Sequence, residues 1–124
     1  EQKSALIEPL PTAAFSATSQ YTIDWAAVSA KYSSVPYAWA PLTHDNLPNE
    51  YLLIDLGRVV KIYSVGTKGG SAIGYDWTTS YEFYHSLSAP TSITSNAEMT
   101  LIGTLTGNTA WDMEALNILN TPIV

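Results

Sequence analysis

The chain has 124 residues, 46% of them hydrophobic and 13% charged, with a formal net charge of −6. This balance excludes a disordered segment and predicts one domain over residues 1–124. Five scattered basic residues exclude the clustered phosphate contacts that nucleic acid requires, and the absence of cysteine excludes thiol catalysis and Cys-type zinc sites.

Residues 1–13 carry Pro9 and Pro11 and predict an extended lead-in. Small, β-tolerant residues from 14 to 19 predict a first short strand. Asp24-Trp25-Ala26-Ala27-Val28 predicts a helical turn with Asp24 as its N-cap. Residues 33–41 form a loop punctuated by Pro36 and Pro41 around Trp39, and residues 43–49 a polar turn. Next comes EYLLIDLGRVVKIYSVGTKGG, residues 50–70. Leu52, Ile54 and Leu56 share one face of its first run, as a period of two demands, and the run from Val59 to Val65 is dense in β-branched residues. Gly57 between them supports a tight connection of two strands, with Asp55 hydrogen-bonded to turn backbone.

Beyond a glycine-containing loop, residues 77–87 alternate as a strand, with Tyr81, Phe83, His85 and Leu87 on one face. Residues 89–97 are rich in turn formers. Residues 99–106 alternate again, with Met99, Leu101, Gly103 and Leu105 on one face, and residues 116–124 form a last short extended segment broken by Pro122. No helical pattern exceeds two turns, no apolar run approaches the roughly 18 residues that cross a bilayer, and short strands recur at sandwich-like spacing. The fold class is all-β. The chain starts at Glu1 with neither an initiator Met nor an apolar leader, which reads as a processed product or an excised domain.

The central segment resembles the "(W/Y)LxxDLG", valine-rich strand and "G(T/V)xG" series of the discoidin family, also called the coagulation factor V/VIII type C domain. The resemblance covers roughly residues 9–124. Phe15-Ser16-Ala17-Thr18-Ser19-Gln20-Tyr21, the Trp25, Lys31-Tyr32 and Trp39-Ala40-Pro41 series, Thr79-Ser80-Tyr81-Glu82-Phe83, Leu105-Thr106-Gly107-Asn108 and Thr121-Pro122-Ile123 are similar to further family motifs in the right order. Each motif is weak alone; their order makes the resemblance specific. It implies a galactose-binding-like jelly-roll β-sandwich, extracellular or secreted, that acts as a recognition or adhesion module. Two departures stand out. The family's terminal cysteine pair is absent, and the chain stops at Val124 where the family's long C-terminal strand begins. The expectation is that a second polypeptide or another copy supplies that strand.

The resemblance groups ligand-binding loops at one end of the sandwich. By position these are residues 20–25, 33–39 and 68–77, with the turn at 43–46 beside them. The candidates are Tyr21, Ile23, Asp24, Trp25, Tyr37, His44, Asp45, Ser71, Ile73, Tyr75 and Asp76. Aromatic faces among hydroxyls and carboxylates suit a sugar ring or a protein or peptide side chain. Trp25 and Trp39 equally suit core packing. Ile23 and Ile73 suit membrane spikes, but Lys68 is the only basic residue in these loops, which weighs against lipid. No cofactor is expected; a calcium site would draw on Asp24, Asp45 and Asp76, with no EF-hand spacing among them. His44 and His85 lack the spacing of a zinc motif. No nucleophile elbow, P-loop or dinucleotide fingerprint occurs, so the chain is read as a binding module and not an enzyme. The competing classes are an assembly subunit of an extracellular matrix or polymer, completed by strand addition, and a lipid-docking domain.

Overall fold

A computed structural model describes residues 4–42, 50–72, 74–91 and 96–124, with Pro122 described by its backbone. Among them are six strands: β1 Phe15–Ala17, β2 Leu52–Ile54, β3 Ile62–Thr67, β4 Ser80–His85, β5 Thr100–Thr106 and β6 Ala115–Ile123. The helical content of the described residues is four short 3₁₀ turns. The chain divides into two compact units, Glu1–Arg58 and Val59–Val124.

In the first unit β1 and β2 pair antiparallel, Phe15 opposite Ile54 and Ala17 opposite Leu52. Two further backbone bonds prolong the ladder, Asp55 N–H to the Ala14 carbonyl (2.8 Å) and Thr18 N–H to the Tyr51 carbonyl (3.0 Å). Phe15 and Trp25 are the buried apolar side chains among the described residues. The Lys31 ammonium lies 5.7 Å from the centre of the Phe15 ring and donates to the Leu10 carbonyl, so its stem covers the core while its charge is satisfied. The Glu8 carboxyl is held below the usual carboxylate range chiefly by the Ser33 hydroxyl, aided by backbone N–H groups and Lys31. That contact ties the lead-in to the 3₁₀ turn Tyr32–Ser34.

Asp24 does not cap a helix. It lies inside the 3₁₀ turn Ile23–Trp25, behind an extended Thr22, and a second turn, Ala27–Ala30, follows Ala26. Extended backbone at Ala26 separates the two turns, so no single helix forms. Trp39 is half-buried and donates its indole N–H to the Ser19 carbonyl at 3.0 Å.

The two central runs are strands, but they do not pair with each other: β2 pairs with β1, and β3 pairs with β6. Gly57 has φ +76° and donates its N–H to Asp55 Oδ1 at 2.9 Å, as a tight turn requires. Four residues, 58–61, follow before β3 starts at Ile62, not Val59, and the turn does not close a hairpin.

The second unit holds two antiparallel pairs, β3–β6 and β4–β5. Strand β4 begins at Ser80, later than alternation predicts, because residues 78 and 79 give their carbonyls to the N–H groups of Asn108 and Gly107 in a turn. In β4–β5, Phe83 faces Gly103 and Tyr84 faces Leu101, which leaves Ile102 as an extra residue. This bulge reverses the alternation beyond it: Leu101 is exposed, while Ile102 and Gly103 are both half-buried. The face predicted to hold Met99, Leu101, Gly103 and Leu105 is therefore broken in its middle. The last segment is a longer strand than Pro122 suggested. It spans nine residues and meets β3 from Thr67 opposite Ala115 to Ile62 opposite Ile123, with its register slipped where Pro122 withdraws a donor.

Candidate ligand-binding surface

In the first unit, residues 20–25 lead into the turn Ile23–Trp25, which projects Ile23 into solvent with 81% of its surface exposed. Tyr21 is 46% exposed; its N–H donates to the Ala40 carbonyl at 2.8 Å, and Ala40 N–H returns a bond to the Trp25 carbonyl at 3.2 Å. These bonds lace the two loops together. Asp24 is exposed and uses its carbonyl to accept from Ser29 Oγ at 2.9 Å. Trp25 is 3% exposed and meets Tyr37 edge-on, ring centres 5.6 Å apart at 86°. That pair is packing: Trp25 presents no face to a ligand, and Tyr37 is half-buried against it. The Trp25 indole N–H is buried and has no hydrogen-bond partner among the described residues. His44 and Asp45 lie outside the described residues.

In the second unit, residues 70 and 76 form an antiparallel bridge, with Gly70 N–H to the Asp76 carbonyl at 2.8 Å and the reverse bond at 3.0 Å. The loop between them is thus closed at its base. Tyr75 stands at its end, 67% exposed, and stacks on Trp111 with ring centres 5.2 Å apart and planes 20° from parallel. Asp76 is exposed and Ser71 half-buried; Ile73 lies outside the described residues.

Gly69 makes this arrangement possible. It donates to the Trp111 carbonyl at 3.0 Å, and a Cβ at this position would stand 2.8 Å from Trp111 Cα. The sequence marked a glycine-containing loop here, without the close backbone approach that the structure shows at Gly69. Trp111 itself carried no sequence signal, because it lies in the turn after β5 with no alternation around it.

Asn108 fixes that turn from beneath. It is 3% exposed, its Oδ1 accepts from Thr67 Oγ1 (2.8 Å), and its Nδ2 donates to the carbonyls of Thr67 (2.8 Å) and Met113 (2.6 Å). Every polar atom of the amide is used, so the end of β3 and the Trp111 turn are held by one side chain.

Among the described residues no three acidic or His side chains are grouped to hold a metal, and Asp45 of the expected calcium set lies outside them. No helix among them is long and apolar enough to cross a membrane.

Short antiparallel strands joined by loops that carry aromatic side chains define an all-β domain. The family model of the F5/8 type C domain matches residues 13–124, across both units, and the chain belongs to that family, the discoidin domains. Its fold is accordingly of the discoidin all-β sandwich class. Domains of this family are commonly extracellular ligand-binding modules, generally without enzymatic activity, and their ligands include glycans, proteins and lipids.

Proposed function

We propose that this chain is an extracellular recognition or adhesion module that holds a glycan through the aromatic surface of residues 59–124, with Tyr75 as the contact face. The observation that carries it is the Tyr75–Trp111 stack. A large aromatic that is 67% exposed yet backed by a second ring is held ready at little entropic cost. Its open face suits the C–H face of a sugar ring, and the carboxylate of Asp76 and hydroxyl of Ser71 supply the polar complement within the same loop. Tyr21 and Ile23 form a second exposed patch in the first unit. Protein or peptide side chains are the alternative ligands of the same ring, by cation–π contact with Lys or Arg.

Lipid docking draws less support. The exposed Ile23 is followed by Asp24, and the chain is acidic overall, so an anionic bilayer would repel the patch.

A glycan array and a matched peptide array, probed with the intact chain and with Tyr75→Ala and Tyr21→Ala, test this. Binding to a restricted set of glycans, lost in Tyr75→Ala while circular dichroism is unchanged, is the expected result. Blank arrays, or binding indifferent to Tyr75, overturn the proposal.

A further inference from the structure

Residues 55–61 join β2 to β3 without regular secondary structure. Residues 57–59 and Lys61 are exposed, Val59 over 69% of its surface. Across residues 56–61 the main chain makes one hydrogen bond among the described residues, from Gly57 N–H to Asp55 Oδ1 at 2.9 Å. Paired backbone bounds the stretch on both sides: Asp55 N–H donates to the Ala14 carbonyl, and Ile62 lies opposite Ile123. The division of the chain into Glu1–Arg58 and Val59–Val124 falls at one peptide bond of this stretch.

An endopeptidase must draw several residues on both sides of the bond it cuts into extended backbone, held by main-chain bonds like an added strand. Exposed chain with uncommitted backbone meets that demand, whereas laddered chain does not. Gly57, at φ +76°, passes to extended backbone with no Cβ to hinder it, and opening its turn gives up a single exposed hydrogen bond.

The other described basic residues stand in committed backbone. Lys31 donates its ammonium to the Leu10 carbonyl, lies against the Phe15 ring and has its own carbonyl bonded to Ser34 N–H. Lys61 is followed directly by β3, and its ammonium lies 6.0 Å from the centre of the Tyr63 ring. Lys68 is followed by Gly69, whose N–H, the group that would leave, donates to the Trp111 carbonyl at 3.0 Å. Arg58 alone among them has uncommitted main chain on both sides, with Gly57 before it and Val59-Val60 after.

We propose that the Arg58–Val59 bond is a processing site for an arginine-selective serine endopeptidase, which severs the covalent link between the two compact units. A carboxylate in the enzyme's specificity pocket takes the Arg58 guanidinium in a bidentate pair. Water adds across the bond: the C–N link breaks, Arg58 gains the oxygen as a new carboxylate, and Val59 leaves with a new α-ammonium. The cut breaks no strand and needs no glycan.

Limited digestion of the intact chain with trypsin tests this, followed by intact mass and N-terminal sequencing and scored for cuts within residues 4–124. The expected first products are residues 1–58 and 59–124, formed roughly tenfold or more ahead of any other cut. A lysine-specific endopeptidase should leave the chain whole over the same interval, although four of its five basic residues are Lys. Arg58→Gln, with circular dichroism unchanged, should remove the rapid trypsin phase. Arg58→Lys should confer rapid cutting on the lysine-specific enzyme, which shows that the position and not the residue type grants access. A first cut at Lys31, Lys61 or Lys68, simultaneous cutting at all of them, or an Arg58→Lys chain that resists the lysine-specific enzyme each overturns the proposal.

Discussion

A Cβ at position 69 would stand 2.2 Å from the Asp76 carbonyl oxygen and 2.8 Å from Trp111 Cα, both of them backbone atoms that no side-chain rotation can move aside. Gly69→Ala must therefore push the base of the loop away from the Trp111 turn. A loss of about 2 kcal/mol, of the order seen for overpacked sites, is expected in chemical denaturation, together with loss of ligand binding. Tyr75→Ala should separate the two effects, because an exposed ring can be removed within about 0.5 kcal/mol of wild-type stability. Asn108 offers a second residue-scale test. Asn108→Ala leaves the carbonyls of Thr67 and Met113 without their donor and should cost about 3 kcal/mol. Asn108→Asp keeps an acceptor for Thr67 Oγ1 but sets a carboxylate against two carbonyls. It should be at least as damaging at pH 7 and recover stability as pH falls and the carboxyl protonates. Thermal melts at pH 7 and pH 4 would read both variants. Trp111 and Asn108 show where the sequence is least legible at this scale. The sequence names Gly107-Asn108 only as part of a family motif, and nothing local names the carbonyls that the Asn108 amide faces.

Among the elements, β4 and β6 carry the pH-sensitive contact. The phenol of Tyr81, opposite Leu105, has its pKa raised above 10.0 by burial, an effect partly offset by the Asn117 amide that reaches its oxygen at 3.4 Å. The neutral form is thus favoured in the folded chain. Stability is fully present below the unfolded tyrosine pKa and declines as pH rises from there through the raised folded value. Alkaline unfolding should begin above about pH 10, and Tyr81→Phe, which has no proton to lose, should shift its onset upward with little change at pH 7. Fluorescence-monitored titration of the two chains checks this; identical alkaline midpoints would exclude Tyr81 as the cause. The strands themselves were largely legible, since hydrophobic alternation and β-branched density are local properties. Partnership was not. The runs flanking Gly57 look like a hairpin in sequence, yet each pairs elsewhere, because strand pairing depends on faces that the local pattern does not label. The bulge at Ile102 has the same origin: two residues of β5 oppose one of β4, a mismatch set by the pair and invisible in either strand alone.

For the whole molecule, the distribution of burial sets the expectation. The buried apolar side chains among the described residues, Phe15 and Trp25, both belong to Glu1–Arg58. In Val59–Val124 the strand residues are at most half-buried, and Leu101, Leu116 and Ile118 are more than half exposed. A unit of that size must bury most of its apolar surface to offset roughly 1–2 kcal/mol of backbone entropy per ordered residue. The described strand residues of this unit do not do so, although the unit carries the Tyr75–Trp111 surface. We expect a fragment of residues 59–124 to show no cooperative thermal transition and no near-ultraviolet dichroism from its Trp and Tyr rings. The intact chain, matched by one family model across both units, should unfold in a single transition with equal calorimetric and van't Hoff enthalpies. Two resolved transitions, or a fragment that melts cooperatively and retains glycan binding, would mean that the aromatic surface is built by the second unit alone. In that case substitution of Trp25, which should cost about 3–5 kcal/mol in the intact chain, would leave ligand affinity untouched even where the first unit is unfolded.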